Sequence, residues 1–231
     1  MSLAVLCAGA AKGLVAAIES SFAAQTGAAI DATFGAVGAL REKLLAGAPC
    51  DAIVLTAPLI ESLTRDGRLV HGSAVPIGTV RTGIAVRNGE PLPPIGDAEE
   101  LRSTLRGASR LLLPDPQRAT AGIHFVDVLR RLGIYDDVAL RMATFANGAT
   151  AMRALAESRA AGEVGCTQVT EINYTEGVVL AGALPPGFDL ATLYTAAVCT
   201  QARERDLAQR FAQLIGGAQT RALRVRGGFE C

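Results

Sequence analysis

Four short turns made almost entirely of small residues are the places where this sequence could bind a ligand: residues 8–11, 35–38, 119–122 and 146–149. Each turn follows a strand-like run and precedes a helix-like segment. The first N–H groups of a helix lack partners and lie at the positive end of the helix dipole, so they attract anions. Small residues also permit tight packing of a helix on a sheet, but four such turns together favour an anion-binding site.

Several other site chemistries are excluded by the residues themselves. The sequence contains no G-x-x-x-x-G-K-S/T, and the glycines of the first two turns do not form G-x-G-x-x-G. Neither H-E-x-x-H nor G-x-S-x-G occurs. Because His71 and His124 are the only histidines and no EF-hand spacing of acidic residues exists, we expect no metal and no cofactor.

The cysteines do not form a recognisable pattern. There are five, an odd number, and none are spaced as C-x-x-C: Cys7, Cys50, Cys166, Cys199 and Cys231. This disfavours a disulfide framework and a thiolate zinc site. We interpret them as small buried apolar residues, since free cysteine is among the most buried residue types.

Composition limits the partners and the compartment. The 231 residues include 22 basic and 22 acidic side chains, so the formal net charge is zero and no nucleic-acid partner is expected. No apolar run approaches the roughly 20 residues of a membrane span, so no membrane insertion is expected. Lys12 interrupts the apolar stretch 4–17, which leaves no secretory leader. The sequence as it stands predicts a cytoplasmic protein, or a periplasmic one if a leader has been removed.

Strand-like and helix-like segments alternate along the chain. The strand predictions are residues 3–7, 28–33, 52–55, 79–86, 110–113, 138–145, 164–167, 178–180 and 192–198. The helix predictions are residues 12–25, 36–46, 59–64, 98–105, 123–132, 149–157 and 203–214. This alternation indicates an α/β fold with a mainly parallel sheet that is covered by helices on both faces.

Two turn-rich passages, residues 88–94 and 184–187, suggest two lobes rather than independent domains. If the chain enters a second lobe near 79–86 and returns near 192–198, the first lobe is discontinuous and contains both termini. We therefore expect lobe 1 to comprise residues 1–80 and 192–231, and lobe 2 to comprise residues 81–191.

The order of several segments resembles a known family. The segments are residues 3–10, 33–40, 46–52, 115–122, 211–215 and the closing pair 228–229. Over essentially the whole chain they resemble the type II periplasmic binding proteins, and they are most similar to the molybdate-binding component of ABC transporters. The resemblance implies two α/β lobes with two crossover strands, a small anionic ligand clasped between the lobes by helix N-termini, and an ABC transporter permease as partner.

The resemblance also implies a ligand site, although this chain departs from the family at several positions. The implied site residues are Gly9, Ala10, Ala11, Ala36, Val37, Thr120, Asn147, Thr167 and Gln168, together with Arg118, which this chain adds beside Thr120. Ala10 stands where molybdate binders place a serine, the turn 35–38 has no hydroxyl, and Gln168 matches a tyrosine. Each lost hydroxyl would cost about 1–3 kcal/mol of binding if nothing replaced it. Molybdate is therefore disfavoured as the ligand.

Polar side chains near the third and fourth turns favour an organic carboxylate instead. Arg118, beside Thr120, could pair with a carboxylate through two parallel hydrogen bonds. Asn147 and Gln168 could orient a second polar group. Arg118 could equally be solvent-facing or bridge the lobes, and His124, one helical turn beyond Thr120, could be packed within its lobe.

Three functions are compatible with this pattern. The first is a transporter-type solute-binding protein that closes around its ligand without catalysis. The second is an isomerase of a small carboxylate on the same scaffold, resembling aconitate isomerase, with His124 or Glu171 as general base. The third is an intracellular sensor that uses this fold as an effector domain.

Overall fold

Strands and helices alternate in the computed structural model, which describes residues 1–231. The strands are β1 (Ser2–Ala8), β2 (Ala29–Gly35), β3 (Ala52–Thr56), β4 (Val75–Arg87), β5 (Arg110–Pro114), β6 (Met142–Phe145), β7 (Glu163–Gln168), β8 (Val178–Ala183) and β9 (Ala191–Val198). The helices are α1 (Lys12–Thr26), α2 (Val37–Leu45), α3 (Ala57–Arg65), α4 (Ala98–Gly107), α5 (Thr120–Arg131), α6 (Tyr135–Val138), α7 (Gly148–Glu157), α8 (Val169–Tyr174), α9 (Arg205–Gly216) and α10 (Arg221–Gly227).

The main difference from the sequence predictions concerns residues 138–145. Only Met142–Phe145 form a strand, because Tyr135–Val138 are α-helical and Ala139–Arg141 form a 3₁₀ turn. Val138 is apolar because it is fully buried in the core, not because it belongs to a strand. The helices α6, α8 and α10 were missed, since segments of four to seven residues are too short to show a helical period.

The chain forms two compact units. The first comprises Met1–Val80 and Thr192–Cys231, and the second comprises Arg81–Ala191. The strands β4 and β9 each contribute residues to both units. The first unit is thus built from two separate segments of the chain.

The first unit contains a sheet in the order β2-β1-β3-β9. The first three strands are parallel, and β9 runs antiparallel to β3. The helices α1 and α9 pack together through Phe22 and Phe211, whose rings meet edge to face with centroids 6.1 Å apart. Both rings are almost completely buried, so they anchor the two segments of this unit to each other.

A buried aspartate at the start of β3 makes a second connection within the first unit. Asp51 is only 5% exposed, and its carboxylate accepts hydrogen bonds from the backbone N–H groups of Ala4, Arg203 and Glu204 at 2.9, 2.7 and 3.1 Å. Three N–H donors satisfy the hydrogen-bonding capacity of this buried carboxyl group, which offsets the cost of its burial. Asp51 therefore connects β1 to the segment that begins α9.

The second unit contains a sheet in the order β4-β7-β5-β6, with β8 paired to the other edge of β4. The strands β7, β5 and β6 are parallel, whereas β4 is antiparallel to β7. Leu111 and Leu113 belong to a core cluster with residues of α4 and α5, while Leu112 belongs to a cluster with residues of α7. Both faces of β5 are therefore buried, which explains its uninterrupted apolar sequence.

The small residues of the third turn have a packing role. Thr120, Ala121 and Gly122 form the first turn of α5, which follows soon after the end of β5. A Cβ atom on Gly122 would lie 2.3 Å from the carbonyl oxygen of Pro114 and 2.5 Å from that of Asp115. Only glycine lets the helix approach this backbone so closely.

We expect Gly122→Ala to lower the free energy of unfolding by about 1–3 kcal/mol, because the added methyl group must displace backbone atoms. Urea unfolding followed by far-UV circular dichroism measures this change. The matched control is Gly107→Ala at the end of α4, where a Cβ would meet nothing within 4 Å. Equal stability of the two variants would contradict this explanation of the turn.

Candidate functional site

Helices in this protein differ in how their first N–H groups are satisfied. In α4, the Asp97 side chain accepts from the N–H groups of Glu99 and Glu100, each at 2.9 Å. By contrast, the starts of α1, α2 and α5 have no side-chain cap and no acidic residue in the first turn. All three have alanine at the cap position: Ala11, Ala36 and Ala119. Uncapped helix starts of this kind favour an anion.

In the first unit, the structure brings together two groups of the implied site residues. Gly9, Ala10 and Ala11 form a 3₁₀ turn between β1 and α1, and Ala36 precedes Val37 at the start of α2. The preceding strands are parallel neighbours that end in register, since Ala8 pairs with Gly35. The two uncapped turns therefore lie side by side at the carboxyl edge of this sheet.

The other five implied residues lie at the carboxyl edge of the second unit's sheet. Arg118 and Thr120 follow β5, Asn147 follows β6, and Thr167 and Gln168 end β7. These three strands are adjacent and parallel. Arg118 is exposed, and its backbone N–H donates to the Asp115 carboxylate at 3.1 Å.

Asn147 has a local role as the cap of α7. Its side-chain oxygen accepts hydrogen bonds from the backbone N–H and the hydroxyl of Thr150, both at 3.0 Å, and the Thr150 hydroxyl in turn accepts from the Asn147 N–H. This reciprocal capping box fixes the start of α7. The Asn147 side-chain oxygen is therefore engaged within its own helix.

A buried carboxyl group covers the start of α7. Glu171 is 7% exposed, and its Oε2 lies 2.5 Å from the hydroxyl of Thr167. The carboxyl group also accepts from the backbone N–H groups of Gly148, Ala149 and Gln168. The expectation that the fourth turn offers unpaired amides to an anion is therefore wrong, because the protein's own carboxyl group occupies them.

This arrangement explains the glycine of the fourth turn. A Cβ on Gly148 would lie 2.0 Å from both the Glu171 Oε2 and the Thr167 Oγ1. Burial raises the pKa of the Glu171 carboxyl above its ordinary value, and the hydrogen bonds from Thr167 and the three amides act in the opposite direction without cancelling the rise. Glu171 is thus a buried acid that exchanges its proton at a higher pH than an exposed glutamate.

Next to this acid, several buried polar atoms have no hydrogen-bond partner. Gln168 is 3% exposed, and both its side-chain oxygen and its nitrogen are unpaired. Thr82 lies directly opposite it in the antiparallel β4–β7 pair, on the same face, and its hydroxyl is also buried and unpaired. The hydroxyl of Thr170, two residues beyond Gln168, is a third such group. Buried polar atoms are rarely left unpaired, and each costs about 1–3 kcal/mol.

His124 makes a structural bond within the second unit. Its Nε2 lies 2.7 Å from the carbonyl oxygen of Phe188. A carbonyl oxygen only accepts, so this ring nitrogen carries the proton. Arg131, on the same helix, donates to the carbonyl of Gly187, and its guanidinium lies 4.8 Å from the centre of the Phe188 ring. These contacts attach α5 to the segment that precedes β9.

Comparison with known proteins agrees with this architecture. Residues 3–230 match the family described as bacterial extracellular solute-binding protein. The chain belongs to this family. Its helices include none that is long and apolar enough to span a bilayer.

The fold is shared with solved molybdate- and sulfate-binding proteins. The periplasmic molybdate-binding protein of Azotobacter vinelandii is 20% identical, with a TM-score of 0.82 and 99% of each chain covered. The sulfate-binding protein SubI from Mycobacterium tuberculosis H37Rv is 18% identical, with a TM-score of 0.77 over 99% of this chain and 86% of that one. These similarities confirm the predicted two-lobed type II periplasmic-binding-protein fold.

One relative is named as an enzyme. An aconitate isomerase from Pseudomonas sp is 22% identical over 219 residues, which are 93% of this chain and 82% of the relative. The solute-binding scaffold of this chain is therefore similar both to binding proteins and to a protein named as an enzyme.

We expect Glu171→Gln to remove one component of the pH dependence of stability. Because the folded-state pKa of Glu171 is raised, its favourable contribution is complete below the ordinary glutamate pKa of about 4.3 and is lost as the pH rises through the folded-state value. Between pH 4.5 and 8, the unfolding free energy of the wild type should therefore fall relative to that of the variant. Urea unfolding at several pH values measures the difference.

The control for this series is Glu176→Gln, which removes an exposed carboxylate from the turn after α8. Its unfolding free energy should follow the wild-type pH profile. A constant difference between wild type and Glu171→Gln across the whole range would refute the buried-acid interpretation.

Proposed function

We propose that this solute-binding protein delivers a small anion to an ABC transporter permease outside the cytoplasm, and that the anion is an organic carboxylate rather than molybdate. The extracellular description of its family supports that location, and the molybdate and sulfate binders that share its fold support a negatively charged solute.

The observation that carries the proposal is the unpaired side chain of Gln168. Its amide is buried with both its donor and its acceptor unused, next to the unpaired hydroxyl of Thr82. A site that keeps such groups buried is suited to a ligand that pairs with them. The carboxamide oxygen needs a donor and the nitrogen needs an acceptor, whichever way the amide is oriented.

This requirement discriminates between classes of anion. Fully deprotonated molybdate and sulfate present only acceptor oxygens, so they leave the Gln168 oxygen unpaired. A hydroxylated or partly protonated carboxylic acid presents both donors and acceptors. The pattern of unpaired groups therefore supports an organic acid that carries a hydroxyl or a protonated carboxyl group in addition to a carboxylate.

The uncapped helix starts supply the preference for negative charge. In the first unit they are the turns at Gly9–Ala11 and Ala36, where no side-chain hydroxyl is present. In the second unit it is the start of α5 at Thr120, beside the exposed Arg118. Backbone N–H groups and a guanidinium together favour a planar carboxylate, which Arg binds through two parallel hydrogen bonds.

A second candidate function is isomerisation of a small unsaturated or hydroxylated carboxylate. The relative named aconitate isomerase supports it, and so does Glu171, a buried acid adjacent in sequence to the unpaired side chains. Moving a double bond next to a carboxylate requires removal of a proton from one carbon and its return to another. Glu171 is the candidate for this transfer in preference to His124, whose Nε2 is bonded to Phe188.

We expect Gln168→Met to separate stability from binding. Methionine has nearly the same shape but no unpaired polar atoms, so the ligand-free protein should gain about 1 kcal/mol of unfolding free energy. The affinity for the bound carboxylate should fall at least about tenfold, because the ligand loses its polar partner. Thermal unfolding and titration calorimetry against molybdate, tungstate, sulfate and di- and tricarboxylates measure the two effects.

The matched control is Gln213→Met on α9, where the glutamine is exposed. It should change neither the affinity nor the stability appreciably. Tight binding of molybdate with no response to carboxylates would overturn the choice of ligand, and no binding by any anion of the panel would overturn the proposed function.

If the protein is an isomerase, incubation with trans-aconitate in deuterium oxide should exchange a C–H proton of the substrate, as seen by proton NMR. Glu171→Gln should abolish the exchange while binding of the substrate persists, because the amide cannot accept a proton. His124→Asn should retain exchange. Binding of trans-aconitate without exchange by the wild type would leave the transporter role as the function.

A further inference from the structure

Two cysteines of the first unit are in direct contact. The sulfur of Cys199 lies 3.2 Å from that of Cys50, and the two residues are 2% and 8% exposed. They are 149 positions apart in the sequence. Among the five cysteines, this is the pair that the fold brings together: Cys7 bonds to the carbonyl of Ala8, Cys231 lies 3.7 Å from the carbonyl of Ile77, and Cys166 is buried in the second unit.

The backbone brings the two cysteines to the same end of one strand pair. They flank the antiparallel β3–β9 pair, in which Ala52 lies opposite Val198. The Cys199 N–H donates to the carbonyl of Asp51 at 2.9 Å. The sulfur–sulfur distance must shorten to about 2.05 Å for a covalent bond. The two sulfurs must therefore approach each other by about 1.2 Å.

We propose that Cys50 and Cys199 form a disulfide bond in the mature protein. Each thiol loses its proton, the pair loses two electrons, and one Sγ–Sγ bond forms. The oxidant is a disulfide, of a small thiol or of a protein catalyst, whose own S–S bond is broken and which leaves as two thiols. Exchange proceeds through a mixed disulfide on the first cysteine, which the second cysteine then displaces. The extracellular description of the family places the chain where such bonds persist.

The bond is expected to form during folding rather than afterwards. The hydrogen bond to Cys50 and burial raise the pKa of the Cys199 thiol well above its ordinary value. Since the thiolate is the reacting form, the folded, reduced protein should oxidise slowly. Both cysteines, together with Arg68, Arg203 and other residues of this unit, line a cavity of about 540 Å³.

The position of the bond determines its effect. Cys50 belongs to the segment Met1–Val80 and Cys199 to the segment Thr192–Cys231. The disulfide would therefore join the two segments of the first unit covalently, beside the Asp51 carboxylate that already connects them. It would also enclose the whole second unit within one covalent loop. This inference shares with the proposed function only the location outside the cytoplasm, and it does not depend on the identity of the ligand or on catalysis.

The test compares protein refolded with oxidised and reduced glutathione against protein kept under reductant. The oxidised form should be about 2 Da lighter, the loss of two hydrogen atoms. Peptide mapping without reductant should find Cys50 linked to Cys199. The Tm should be higher by about 5–10 °C, since a cross-link closing so long a loop restricts the unfolded chain. Cys50→Ser should lose the mass change and the Tm gain, whereas Cys231→Ser should keep both.

A second measurement does not depend on a variant that folds. Protease cleavage within residues 81–191 should leave the flanking fragments connected on a denaturing gel without reductant and separate them with it. The proposal is overturned if the refolded wild type retains five titratable thiols after denaturation, or if the linked peptides contain other cysteines.

Discussion

Backbone N–H groups at the start of a helix need an acceptor, and this requirement organises both units. The chain meets it internally at α4 through Asp97, and at α7 through Asn147 and Glu171. It does not meet it with side chains at α1, α2 and α5, whose cap positions lack polar groups. The same fold thus contains closed helix starts, which stabilise the structure, and open ones, which suit an anionic solute. Small residues alone do not distinguish the two kinds.

The end of β7 shows how closely stability and function are placed. Glu171 is buried with partners for its carboxyl group, whereas the side-chain amide of Gln168, three residues earlier, is buried without partners. The first arrangement fixes α7 and α8 against each other. The unpaired amide of Gln168 raises the free energy of the ligand-free protein. A ligand that forms hydrogen bonds with this amide would remove that cost. Polar groups left unpaired in this way are typical of positions selected for binding rather than stability.

The alternation of apolar runs and helical periods was sufficient to predict the α/β class and all nine strands, because those signals are local. The strand prediction for 138–145 began too early because burial makes Val138 apolar whatever its secondary structure. The role of Gly148 could not be read from the sequence, since Glu171 reaches it only through the fold. The sequence also gave no indication that Thr82 lies near the candidate site, because only the fold places it opposite Gln168. Gln168 was noticed only through the family resemblance, and its unpaired state needed coordinates.

The interrupted first unit has a consequence for biosynthesis. During translation, β3 has no strand partner on one side until β9 has been synthesised. The Asp51 carboxyl group likewise lacks two of its donors until Arg203 and Glu204 have been added. All residues of the second unit emerge before that point. The second unit can therefore mature while the first unit still exposes an incomplete sheet edge, which is a surface prone to aggregation.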